Sequence, residues 1–170
     1  EIYPQFKLED ARRMADAGGG VIFKSTLMRV LYEYGLVDGI YQQDYKTLFG
    51  AKGGKVLHNP EYEPVENVLA VIKAARGVAV FAHPSVYNSM ELVAELAAAG
   101  RIDGVEIEHP RNTPEDKEEL RRLAAKYGLV TTGGTDFHGA NHKKVYPVGT
   151  CTTPDDQIAR IEELARKRKK

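Results

Sequence analysis

Apolar positions follow two rhythms along this chain. Up to about residue 64 they come in short helical groups broken by glycine. Leu8-Glu9-Asp10-Ala11-Arg12-Arg13-Met14-Ala15 predicts a short amphipathic helix, stopped by Gly18-Gly19-Gly20. Ser25 is a good N-cap for a second helix, with Leu27, Val30 and Leu31 on one face and an end at Gly35. Tyr41 to Phe49 predicts a third helical segment. Gly50 to Gly54 predicts a loop, and Lys55 to His58 a short extended piece before Pro60.

From about residue 64 the rhythm changes. Pro64 suits the first residue of a helix running to Ala75. Val78 to Ala82 is apolar at every position and ends at His83-Pro84, the pattern of a buried parallel strand. A helix over Ser89 to Ala99 closes at Gly100, and Gly104 to His109 predicts a second strand. Thr113-Pro114-Glu115-Asp116 is a helix start: Thr as N-cap, Pro at the first position, acids in the first turn. That helix runs to Tyr127 and ends at Gly128. Leu129 to Thr132 predicts a third strand, and Thr153-Pro154-Asp155-Asp156 starts a last helix that runs into a basic tail.

Strands alternating with helices at this spacing predict parallel β/α units, with right-handed crossovers laying the three strands side by side. The expected fold is α/β: a partial β/α barrel over residues 65–170, preceded by a small helical segment over residues 1–64. Composition narrows the reading. The chain has 170 residues with 24 Lys+Arg and 24 Asp+Glu, so no global field recruits nucleic acid or an anionic membrane. An apolar fraction of 42% excludes a disordered chain. The single cysteine, Cys151, excludes an intrachain disulfide and fits a reducing, cytoplasmic setting. The run Val78 to Ala82 is far short of a membrane span. The five basic residues Arg166 to Lys170, with no aromatic among them, predict a solvated, frayed helix end.

In β/α barrels chemistry gathers where the strands end. Here the three predicted strands end at His83, at Glu108 and His109, and at Asp136 and His138. His83 reads as either a structural hydrogen-bonder or a metal ligand. Asp136 and His138, two apart and bracketed by Gly133, Gly134 and Gly139, read as a turn or as a pair of ligands pointing the same way. Together His83, Asp136 and His138 form a His-His-carboxylate set of the kind that suits zinc, manganese or iron. Glu106 or Glu108 is solvated or orients a ligand from behind. Arg111 is a surface residue or a phosphate grip. His142-Lys143-Lys144 is a solvated loop or a cationic face, and His58 is structural. Lys52 and Lys55 between glycines lack the Walker pattern and are set aside.

Ala82-His83-Pro84, Gly104-Val105-Glu106, Thr113-Pro114-Glu115 and Gly134-Thr135-Asp136-Phe137-His138-Gly139 resemble the closing half of the polymerase-and-histidinol-phosphatase (PHP) family. These are metal-dependent phosphoesterases on a distorted seven-stranded β/α barrel. The segment Lys24 to Leu31, ending at Gly35, is similar to part of the helical insert found in some members. The resemblance implies that His83, Asp136 and His138 bind divalent metal ions (Mn, Zn, Fe or Mg). It further implies a hydroxide activated by the ions for attack on phosphorus, and phosphate contacts from Lys24 and Arg111. Thr26 and Asn112 stand where the family commonly has His. The family's opening His-x-His motif has no counterpart, and the chain begins at Glu1 rather than Met.

The expected function is therefore that of the C-terminal part of a metal-dependent phosphoesterase acting on a phosphorylated small molecule, a nucleotide or an RNA end. The isolated chain is expected to be weak or inactive. The alternative is a non-catalytic interaction or assembly module derived from the same domain, with a second copy covering the exposed half-barrel.

Overall fold

The computed structural model of the chain describes residues 2–16, 19–50, 53–56, 61–138 and 146–169. It divides into two compact units, Glu1–Pro60 with His138–Val145, and Glu61–Phe137 with Tyr146–Lys170. No helix among the described residues is long and apolar enough to cross a membrane.

The first unit holds α1 (Leu8–Asp16), α2 (Lys24–Glu33) and α3 (Gln43–Phe49). Its core gathers Met28, Leu31, Val37, Ile40 and Leu48, with Tyr41, Tyr45 and Phe49 packed against them. Asp10 on α1 accepts a hydrogen bond from the Tyr34 hydroxyl just beyond α2. The start of α2 differs from expectation. Phe23, not Ser25, is the N-cap, because the Thr26 hydroxyl reaches back to accept the Phe23 amide at 3.2 Å. Ser25 therefore falls inside the first turn and Lys24 becomes the first helical residue. Lys55 and Val56 are not extended. Their amides fold back onto the carbonyls of Thr47 and Leu48, each at 3.0 Å, in a turn.

The second unit runs α4 (Val65–Ala74), β1 (Val80–Phe81), a single 3-10 turn (Pro84–Tyr87), α5 (Met90–Ala98), β2 (Gly104–Glu108), α6 (Pro114–Tyr127), β3 (Val130–Gly133) and α7 (Asp155–Lys169). The sheet order is β1-β2-β3 and both pairings are parallel, as the alternation predicts. Among the described residues these three strands form an open sheet. Its core contains Val93, Val105 and Leu120, each fully buried, and each such side chain contributes about 1.5–3 kcal/mol. Gly104 opens β2 because a Cβ there would stand 2.4 Å from a Val130 methyl and 2.8 Å from the Val130 carbonyl. At α6 the cap is as expected: the Thr113 hydroxyl accepts the Asp116 amide at 3.1 Å, and Gly128 ends the helix at a φ of +66°.

Two expectations need correction here. The apolar run Val78 to Ala82 yields only two paired residues, and Val80 is 36% exposed. Among the described residues it pairs with one strand, β2, and His83 turns the chain away just after it. The basic tail is not simply solvated. The Arg168 guanidinium spans both carboxylate oxygens of Asp103, at 2.9 Å on one of them, and also donates to the Gly77 carbonyl. Asp103 in turn accepts the Ala79 amide at 2.7 Å. Composition showed a run of like charge, but the docking needs a carboxylate 65 residues away.

This clasp ties α7 to the entry of β1 and β2. Asp103→Ala strands the Ala79 amide as well as Arg168, and should cost about 1–3 kcal/mol. Arg168→Ala, which leaves the amide bond intact only if Asp103 stays ordered, should cost less. Urea unfolding of the two variants measures the difference, and equal midpoints for wild type and Asp103→Ala would contradict the clasp.

Candidate active site

Parallel pairing sends the C-terminal ends of all three strands to one edge of the sheet. His83 follows β1 with φ 28° and ψ 61°, a conformation rare for any residue with a side chain and disfavoured further by the proline after it. Such a residue costs about 1–3 kcal/mol and persists only where its surroundings hold it. Glu106 supplies the hold: its Oε2 accepts the His83 amide at 2.8 Å. Buried Pro84 then opens the 3-10 turn, and the Ser85 hydroxyl donates to Asp116 at 2.6 Å, tying the turn to the start of α6. The sequence offers Glu106 as solvated or as an orienting carboxylate. It is half-buried and orients the backbone of His83.

Along β2, Val105 and Ile107 face the core while Glu106 and Glu108 lie on the other side. Glu108 turns to α6, where Lys117 at 3.1 Å and Arg121 at 2.6 Å pair with it. Burial pushes its carboxyl up, but these two cations outweigh that and leave the pKa below the ordinary glutamate value. Pairing with β3 slips between Glu106 and Glu108, so an extra residue is accommodated near the strand end.

His109 follows. It is 1% exposed, among the most buried polar residues of the unit. Its Nδ1 accepts the Arg111 amide at 3.2 Å. Its ring stands 5.1 Å from that of His83, and its Nε2 lies 3.6 Å from Asp136 Oδ2. Burial disfavours the imidazolium and lowers the pKa below the ordinary histidine value, although Glu106 and Asp136 pull the other way. The Asn112 side-chain amide donates to the carbonyls of Glu106 and Ile107, at 3.0 and 3.1 Å, and fixes the loop that carries the ring.

β3 delivers Asp136, again with a left-handed φ of 53°. The glycines before it serve the chain itself. A Cβ on Gly133 would meet the Thr152 carbonyl at 2.6 Å, and one on Gly134 would meet Glu106 Oε1 at 3.0 Å. Buried Thr135 is pinned through its hydroxyl to the backbone of Cys151, donating at 3.2 Å and accepting at 3.3 Å.

Of the residues expected to carry chemistry, His83 and Asp136 lie on this edge, with His109 between them. Arg111 is exposed on the same loop, and its backbone rather than its guanidinium makes the contact with His109. His138 and Lys24 belong to the first unit. There the His138 ring meets Tyr41 edge-on at 6.0 Å, and the Lys24 ammonium stands 6.0 Å from the centre of the Phe49 ring. His58, Lys52, Gly139 and His142-Lys143-Lys144 lie outside the described residues. The sequence places His109 at a strand end where chemistry gathers, but gives it no partner, because Asp136 and His83 stand on other strands and meet it only in the fold. The neighbouring polar residues Arg111 and Asn112 were the available signal. Two grooves of the second unit, about 530 Å³ beside α6 and about 680 Å³ near Asp103, are lined by none of His83, His109 or Asp136.

Among the described residues no three His, Cys, Asp or Glu side chains meet in a metal-binding arrangement. The donor chemistry nevertheless suits a divalent cation in part. His83 Nδ1 is buried without a hydrogen-bond partner, and a carboxylate stands on the same edge. Glu106→Ala should lower stability by about 1.5–3 kcal/mol, the range for a hydrogen bond to a charged group, whereas Glu106→Gln keeps an acceptor and should lose less. Thermal unfolding decides this; identical losses in both variants would show that the contact to His83 is not what matters.

Comparison with known proteins adds a second line. No protein-family model matches the chain. It is 33% identical over 118 residues to a phosphoribosyl 1,2-cyclic phosphate 1,2-diphosphodiesterase from Eggerthella lenta, covering 69% of this chain and 44% of that protein. It is 32% identical over 136 residues to the 5'-3' exoribonuclease Rnm of Escherichia coli, covering 77% and 45%. A 3',5'-nucleoside bisphosphate phosphatase from Chromobacterium violaceum is 30% identical over 113 residues, covering 61% and 39%. The chain thus spans less than half the length of these curated relatives. Among solved structures, one from Bifidobacterium adolescentis assigned as a metal-dependent phosphoesterase aligns with a TM-score of 0.76 and 26% identity, over 94% of this chain and 56% of its own. An amidohydrolase from Chromobacterium violaceum aligns at a TM-score of 0.55 and 24% identity, over 95% of this chain and 62% of its own, which speaks to fold alone.

Proposed function

We propose that the chain, which is similar over part of its length to PHP-type phosphoesterases, carries the closing β/α units of a barrel that hydrolyses phosphate esters with divalent metal ions. The observation that supports this best is the convergence of His83, His109 and Asp136 on one strand-end edge, two of them in strained backbone conformations. A divalent ion bound there would polarise phosphoryl oxygens and lower the pKa of a water. The residues of this chain supply the rest. His83 and Asp136 offer an imidazole nitrogen and a carboxylate at the strand-end edge, and His138, two residues after Asp136 in the chain, is the third ligand in this reading. Glu106 holds His83 in the turn that presents it. Arg111 and Lys24 would contact phosphate, Arg111 through its planar fork and Lys24 as a point charge. Three relatives are named for a phosphoribosyl cyclic phosphate, for RNA and for a nucleoside bisphosphate. The shared chemistry is a phosphate ester of a ribose-containing molecule, and a nucleotide or RNA end is the substrate class proposed here. Domain organisation is proposed along the same lines: residues 1–64 as part of a helical insert and residues 65–170 as barrel units.

Titration calorimetry with Mn²⁺ tests the ligand assignment. Weak binding is expected, and Asp136→Ala and His138→Ala should each abolish it. Binding that survives unchanged in both variants would sink the proposal.

A further inference from the structure

His109 is assigned no role by the metal set, yet its surroundings are those of a working side chain. Its ring is buried and held at Nδ1. The loop beneath it is clamped by Asn112 to the carbonyls of Glu106 and Ile107. Its Nδ1 is committed as an acceptor to the Arg111 amide. A neutral imidazole has one donor and one acceptor, so this bond places the proton on Nε2. That N–H is buried without a hydrogen-bond partner, which is costly for a donor. It faces Asp136 Oδ2 at 3.6 Å. The distance is about half an ångström beyond a hydrogen bond. Contacts of this kind are often long in free enzymes and tighten when a site is engaged. At the other end, Asp136 sits on a left-handed backbone at φ 53°, a conformation that persists only where its surroundings hold it.

We propose that His109 is a positioning residue for Asp136: its Nε2–H holds the carboxylate through Oδ2. Ligating carboxylates are commonly steadied in this way by a hydrogen bond from behind. A histidine whose Nδ1 lone pair is taken and whose Nε2 carries the proton has no nitrogen to give to a cation. His109 therefore supports a ligand and is not one itself. The pairing of the two side chains stands on geometry alone. Its consequence for catalysis rests on the reading of this edge as the phosphoesterase site, so the test has two arms.

The first arm needs no metal. Two-bond ¹H–¹⁵N correlation spectra should show the His109 ring protonated at Nε2 and bare at Nδ1, and Asp136→Asn should move the Nε2–H resonance. A ring protonated at Nδ1, or an Nε2–H resonance indifferent to Asp136→Asn, would overturn the proposal. The second arm compares His109→Phe, which keeps the volume but has no N–H, with His109→Gln, whose side-chain amide reaches the place of Nε2. Mn²⁺ affinity should fall about 10–100-fold in the first and by only a few fold in the second. Wild-type affinity in His109→Phe, or equal losses in both variants, would reduce His109 to packing. Should the wild type bind no Mn²⁺, the metal reading fails, and the spectra of wild type and Asp136→Asn still decide the pair. Those spectra require no His109 variant to fold.

Discussion

Two parallel pairings govern the second unit. Val80 lies opposite Gly104, and Gly104 opposite Val130, so the three strands start in near alignment and finish on the same edge. Parallel strands need long crossovers, and α5 and α6 supply them. Everything that this edge holds depends on that alignment. A histidine after β1, another after β2 and an aspartate after β3 lie far apart along the chain, and become neighbours only because the register brings their strand ends level. Gly104 permits it: any side chain at that position would press into Val130 and separate β2 from β3.

The same edge shows how strain and support are distributed. His83 and Asp136 both adopt left-handed backbone angles, and each is met by a polar group from β2 or the residues just past it. Glu106 holds the amide of one, and His109 faces the carboxylate of the other. β2, the central strand, is thus the scaffold on which the outer two are adjusted. Its alternation keeps Val105 and Ile107 in the core, while the slip in register near its end lets both faces contribute beyond the last ladder bond.

Much of this architecture was legible in the sequence where local chemistry decides the outcome. The α6 start follows from Thr113-Pro114-Glu115-Asp116 because cap, ring constraint and dipole all act within one turn. Strand order followed from the β/α alternation. What was not legible needed partners distant in sequence. The length of β1 was overestimated because an apolar run does not reveal how much of it pairs. Arg168 looked solvated because its carboxylate belongs to the entrance of β2. His109 stood out as a strand-end residue, but its nearness to Asp136, 27 positions on, shows only in the folded chain. The start of α2 failed for a local reason: Ser25 and Thr26 are both capable caps, and the backbone chose the threonine's reach to Phe23.

The clasp between Arg168 and Asp103 has a kinetic side. It closes a loop of 65 residues, and Arg168 also reaches the Gly77 carbonyl 91 residues before it. Loops of that length close slowly relative to hairpins and single helices, because the entropy of ordering is lost before the contact is gained. The order of assembly this implies is that α5, β2 and α6 consolidate first through nearby contacts, and that the Arg168 clasp on Asp103 and Gly77 closes late. A nascent chain halted before Arg168 would therefore hold β1 and His83 through β2 alone, with the Asp103 carboxylate and the Gly77 carbonyl still without the guanidinium that joins them.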